Sequence, residues 1–258
     1  MILSFNEAGA GHPVALLHGL LGSRQNFGAV QKALAARGHR VLALDMRNHG
    51  ASPHAVTMSY AEMAADVAGT LREAGAWPAA VIGHSMGGKA AMMLALAHPE
   101  AVERLLIADI APVAYGTPGF THYIAAMRAI PLRPGLTRRE ADAALAEAVP
   151  AAPLRGFLLQ NLLFSEDPPR WRVPLDVLAA EVEVLGGWPD PSGRYDGQVL
   201  VLAGDRSDYV LPAHHPRFRA LFPAARFATI PAGHWLHAEN PAAFLAEAAG
   251  FLAGALEG

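Results

Sequence analysis

The chain has 258 residues, 52% of them hydrophobic, which suits one large α/β domain or a domain with an insertion and supplies a sizeable core. Twenty basic and 23 acidic residues give a net charge of −3, and the charges are few and well mixed, which excludes an electrostatic footprint for nucleic acid or an anionic membrane. Cysteine is absent, which removes disulfides, thiolate nucleophiles and thiolate metal ligands together. The start, Met1 to Glu7, has no basic segment leading into a long apolar stretch, and no apolar run of about 18 residues occurs anywhere, so a cytoplasmic location with no membrane partner is expected.

In chain order, short apolar runs at Val14 to His18, Arg40 to Leu44, Ala79 to Gly83, Arg104 to Asp109 and Gln198 to Ala203 predict buried central strands. Helical patterns lie between them near Arg24 to Arg37, Ser59 to Gly75 and Met86 to His98, where Pro99 stops the last. A strand near Arg226 to Ile230 and a helix near Pro241 to Leu256 follow. This alternation predicts a mostly parallel central sheet with helices on both faces. Residues 112–195 break the rhythm with prolines and short helices and show no convincing strand. They read as a helical cap over the strand ends of a core made of 1–111 and 196–258, where open α/β sheets bind ligands. Phe120, Tyr123, Met127, Phe157, Leu158 and Phe164 are its candidate pocket residues, with Phe120 and Phe164 singled out as substrate-binding.

The segment Val81-Ile82-Gly83-His84-Ser85-Met86-Gly87-Gly88 carries the chemistry. A serine between two glycines, after an apolar strand and before a helix, has the form of a nucleophile elbow: the glycines let the chain turn sharply enough to present the hydroxyl. The helix N-terminus behind it offers free N–H groups and partial positive charge to a developing oxyanion. A serine hydroxyl needs a neighbouring base, and His234, between the last strand and the last helix, is the candidate; His84 should point away from the elbow, and His98, His214 and His215 suit other roles. The oxyanion donors are expected to be the N–H of Met86, the residue after the nucleophile, and that of Leu20 in the loop His18-Gly19-Leu20-Leu21-Gly22-Ser23. Asp45 and Arg47 read as an ion pair holding the turn after an early strand.

Taken together, His18 to Ser23, Asp45 to Gly50, Gly83 to Ala90, Asp109-Ile110-Ala111-Pro112 and Gly233-His234-Trp235 resemble the α/β-hydrolase superfamily, and within it the small bacterial esterases of the YbfF type. The similarity runs from about Leu3 to Leu252 and is weakest in the cap. It implies an α/β-hydrolase fold with a small helical cap and hydrolysis of acyl esters or thioesters without a cofactor, and with the elbow it predicts a serine hydrolase of small-molecule short to medium acyl esters or thioesters that forms an acyl-enzyme on Ser85. The general superfamily pattern puts the triad acid after the strand that follows the cap, at Asp208, with Asp205 beside it as a turn cap. The narrower resemblance puts it at Asp109, the end of the preceding strand, and is preferred here.

Four other readings use the same residues. Gly83-x-x-x-x-Gly88-Lys89 matches a phosphate-binding loop until Ala90 stands where a magnesium-binding hydroxyl is required. A zinc site at His234 and His237 lacks the accompanying carboxylate spacing, so no metal is expected, and His237 reads as a cap or surface residue. A non-catalytic small-molecule receptor on the same fold, and a different triad reaction such as perhydrolysis or carbon–carbon bond hydrolysis, remain open. The sequence leaves acyl-chain length and oligomeric state open as well.

Overall fold

The computed structural model describes residues 1–254. The chain runs through β1 (Phe5–Ala8), β2 (His12–Leu17), α1 (Gly28–Ala35), β3 (His39–Leu44), α2 (Tyr60–Glu73), β4 (Ala79–His84), α3 (Met86–Ala97) and β5 (Val102–Ala108). Next come α4 (Pro118–Arg128), α5 (Arg138–Leu145), α6 (Ala152–Leu158), the short antiparallel pair β6 (Leu162–Leu163) and β7 (Arg170–Trp171), and α7 (Leu175–Gly186). The chain then closes with β8 (Gln198–Gly204), α8 (His215–Leu221), β9 (Ala225–Ile230), α9 (Leu236–Glu239) and α10 (Pro241–Leu252). The seven-stranded sheet has the order β1-β3-β2-β4-β5-β8-β9, antiparallel only at the β1 edge. This is the α/β-hydrolase fold, with a mostly parallel sheet and helices on both faces.

Two differences from the sequence reading stand out. β1 lies outside the expected strands: its four residues, Phe-Asn-Glu-Ala, form no apolar run, and the two polar ones are exposed, as an edge strand permits. The β6–β7 pair supplies strands in a segment expected to hold none, fixed by register Leu162 to Trp171 rather than by any apolar run. The last helix ends at Leu252; the rest of the expected stretch to Leu256 includes residues outside those described.

Side-chain alternation along the central strands divides the core. Ala15, Leu17, Val81, Leu105 and Ile107 face α2 and α3, whereas Val14, Leu16, Ile82, Leu106 and Ala108 face α1 and α10. Both faces of these strands are covered, so they read as unbroken apolar runs. Ser59 caps α2 by accepting from Glu62 N–H, and the Glu62 carboxylate accepts in return from Ser59 N–H, satisfying amides that would be orphaned at the helix start.

The junction from β4 to α3 is the tightest point. A Cβ on Gly87 would lie 2.2 Å from the Leu17 carbonyl oxygen, and one on Gly83 would lie 2.3 Å from the Gly87 carbonyl oxygen. Only glycine lets α3 approach β2 and the preceding turn this closely. Gly87→Ala is therefore expected to destabilise the fold by about 1–3 kcal/mol through overpacking. Chemical denaturation measures it, and an unchanged midpoint would show that β2 yields to the added methyl.

Candidate active site

Ser85 occupies the turn between β4 and α3 with φ 53° and ψ −118°, a region that side-chain-bearing residues seldom enter. That conformation lifts the hydroxyl off the sheet into a cavity of about 790 Å³, within the usual size of ligand pockets. His234, in the loop after β9, lines the same cavity, and Ser85 Oγ donates to its Nε2 at 3.1 Å. His234 Nδ1 donates to Asp109 Oδ2 at 2.7 Å. Asp109 ends β5 in a left-handed conformation, φ 53°, and is wholly buried. Its two oxygens also accept from Gly204 N–H at 3.1 Å and from the Ser207 hydroxyl, so a carboxylate taken out of water meets three donors.

Asp208, the alternative acid, is exposed in the bend after β8 and makes no hydrogen bond to His234 among the described residues. The same loop instead sends Ser207 to Asp109 and lays the Tyr209 ring on the His234 imidazole, with centroids 4.0 Å apart. Asp205 accepts from Ala232 N–H at 3.0 Å and so ties the β8 and β9 loops together. Sequence spacing alone could not separate these neighbouring carboxylates; the strand end that Asp109 occupies places it beneath the imidazole.

In the loop after β2, the amides of Leu21, Gly22 and Ser23 are consumed by His49 Nε2, the Gly19 carbonyl and Asn26 Oδ1. The Leu20 and Met86 amides donate to no acceptor among the described residues, and both residues lie beside Ser85. Loop geometry is locked from below: His18 Nδ1 donates to the Gly19 carbonyl at 2.8 Å while its Nε2 accepts from Met46 N–H at 3.0 Å. Phe120, Tyr123, Phe157 and Leu158 line the large cavity. Phe164 and Met127 do not: Phe164 is half-buried against the helical core, and Met127 is fully buried on the inner side of α4.

Three further residues sit differently from their sequence reading. Asp45 and Arg47 do not pair with each other. Asp45 holds Arg24, at 3.0 Å, and the Ala51 amide, whereas Arg47 reaches Asp66 at 2.6 Å and Glu62 at 2.9 Å on α2. His237 is not a surface residue: it is buried, stacked on Phe27 at 4.6 Å and 4.8 Å from the His84 ring. His84, whose ring also lies 4.8 Å from that of His234, donates from Nε2 to the His234 carbonyl at 2.8 Å, so it fixes the loop that carries the imidazole. An uncharged histidine is what this donor needs among other rings. Burial, reinforced by His234 and His237, pushes the His84 pKa well below its usual range.

Among the described residues no cluster of three or more His, Cys, Asp or Glu side chains is arranged to hold a metal ion. Lys89, of the sequence's phosphate-loop resemblance, is buried and donates to the Gly186 and Gly187 carbonyls at 2.9 and 2.6 Å, at the C-terminal end of α7. Burial lowers its ammonium pKa to about 7. No helix among the described residues is long and apolar enough to cross a membrane.

Residues 12–180 match the family model for the alpha/beta hydrolase fold. The chain is 43% identical to the sn-1-specific diacylglycerol lipase ABHD11 of Mus musculus over 249 residues, spanning 93% of this chain and 80% of that one. It is 36% identical to esterase YbfF of Escherichia coli over 234 residues, spanning 90% of each. A solved marine microorganism esterase superposes with a TM-score of 0.93 at 36% identity, covering 97% of this chain and 99% of that one.

The buried histidines make stability depend on acid. Desolvation lowers His18 to about 4, His49 to about 3 and His237 to about 4, and His84 well below its usual range. In the unfolded chain each titrates near about 6.5, so the stability they contribute is complete above that value and is lost as pH falls towards the folded values. Each proton taken up adds a slope approaching about 1.4 kcal/mol per pH unit. Urea midpoints are expected to fall between about pH 6.5 and 4.5. A midpoint that stays level or rises across that window contradicts a neutral cluster. The match over residues 12–180 and the 43% and 36% identical relatives show that the chain belongs to the α/β-hydrolase family, with esterases and lipases among its relatives.

Proposed function

We propose that the protein is a serine hydrolase of small-molecule short to medium acyl esters or thioesters, working through an acyl-enzyme on Ser85. The observation that carries this reading is the unbroken hydrogen-bond line from Ser85 Oγ through His234 to buried Asp109, opening into a ligand-sized cavity. In this mechanism Ser85 Oγ bonds to the acyl carbon as its proton passes to His234 Nε2. The carbonyl oxygen gains charge facing the Leu20 and Met86 amides. The bond to the leaving oxygen or sulfur then breaks, and that atom takes the proton from His234. Water repeats the sequence in reverse and frees the acid. Asp109 holds the imidazole tautomer and stabilises its cation without taking the proton.

Residues 112–195 act in this reading as a cap that decides which substrates enter, with Phe120 in its wall. The chemistry needs no cofactor and no metal.

A fluorophosphonate probe is expected to add one adduct per chain, located at Ser85 by peptide mass. An unlabelled wild-type protein overturns the reading. Asp109→Asn is expected to lower kcat by about 10⁴-fold with the fold retained, as when a triad histidine loses its orienting partner. Asp208→Asn should leave kcat within about threefold, because that side chain is exposed and away from the imidazole. The opposite ranking in steady-state kinetics would transfer the acid role to Asp208.

A further inference from the structure

Two cavities of very different size meet at Ser85. The larger, about 790 Å³, contains His234 in its wall. The smaller, about 40 Å³, does not; it is lined by Ser85, Leu20 and Met86, by Ile110, by Val182 and Leu185 of α7, and by Lys89, one turn beyond Met86 on α3. The Lys89 ammonium is already held by the Gly186 and Gly187 carbonyls. It therefore packs the wall instead of offering charge to a ligand, and the remaining lining is largely apolar and aromatic.

The reaction assigns these spaces to different parts of an ester. Four groups surround the tetrahedral carbon: Ser85 Oγ, the oxyanion, the leaving atom and the acyl chain. The leaving atom must lie within reach of His234 Nε2, since that nitrogen returns its proton. Its substituent accordingly extends into the cavity that His234 lines. The oxyanion faces the Leu20 and Met86 amides, and the smaller cavity opens directly beside those two residues. Resting on the serine-hydrolase reading above, we infer that the small cavity is the acyl subsite and the large one the alcohol or thiol subsite. The protein would then take a short acyl group of about two to four carbons joined to a bulky leaving group. A volume of about 40 Å³ holds roughly three water-sized groups, whereas the other cavity accommodates a drug-sized moiety.

Val182, on α7, is the wall residue best suited to test this, because its side chain is small and buried and it lines the small cavity but not the large one. Two series of esters separate the subsites: 4-nitrophenyl esters with acetyl, butyryl and octanoyl groups, and acetates of ethyl, benzyl, octyl and naphthyl alcohols. For the wild type, kcat/KM is expected to fall at least about tenfold from butyryl to octanoyl, since single methylenes in a fitted pocket change specificity by about 10–200-fold. Across the acetates it should hold or rise with alcohol size. Val182→Ala should raise the octanoyl-to-butyryl ratio several-fold, and Val182→Phe should confine turnover to the acetyl ester. Thermal denaturation confirms that each variant is folded, and if one is not, the wild-type series and the other variant decide the matter. Octanoyl esters cleaved as well as butyryl, or a decline that follows alcohol size instead, overturns the subsite assignment while leaving the hydrolase intact. Absence of turnover for every ester together with no fluorophosphonate labelling overturns the hydrolase reading, and the assignment falls with it.

Discussion

The strained turn at Ser85 is the constraint on which the site depends. A left-handed φ with ψ −118° at a residue carrying a side chain costs about 1–3 kcal/mol, and it persists because the surroundings permit no alternative. Behind the serine, α3 is buried along almost its whole length, and Gly83 and Gly87 press it against the turn and β2 at distances that no other residue tolerates. Ser85 N–H donates to the Ala108 carbonyl at 3.0 Å, which pins the turn to the end of β5. The strain is thus held by the sheet itself.

Asp109, one residue beyond β5, repeats the device. It too has positive φ, and its N–H donates to the Leu202 carbonyl at 2.9 Å on β8. Two adjacent parallel strands therefore end in two distorted residues whose side chains lie on either side of the His234 ring. The imidazole arrives from a third strand, and its loop is held by His84, Tyr209 and the Asp205 carboxylate. A preorganised arrangement of this kind avoids reorganisation at the moment charge develops, the main electrostatic requirement of acyl transfer.

The central strands, the elbow and the late Gly-His pair were legible because each leaves a local signature: an unbroken apolar run, glycines at fixed offsets, an apolar strand followed by a polar loop. What was not legible depends on distant partners. Ile82 and Val81 look alike in sequence, yet they serve opposite cores. His237 reads as polar but lies among Phe27, Phe244 and His84, because α9 and α10 fold its ring inward. Asp45 and Arg47, two residues apart, choose partners in different elements. Ser207, which completes the donors around Asp109, has no sequence signal apart from its position after a strand. The two-residue strands β6 and β7 are too short for any period to be read, and Phe164 could not be assigned a face without them.

The proposed mechanism requires Ser85, His234 and Asp109 to act as one nucleophilic unit. Rapid-quench mass spectrometry during turnover of a 4-nitrophenyl ester tests it most directly. A burst of 4-nitrophenol approaching one equivalent per chain is expected, with a matching acyl adduct on Ser85, wherever deacylation is the slower step. His234→Ala should remove both signals while the fold persists. Steady hydrolysis by the His234→Ala protein at the wild-type rate, or an adduct on any other residue, would contradict it.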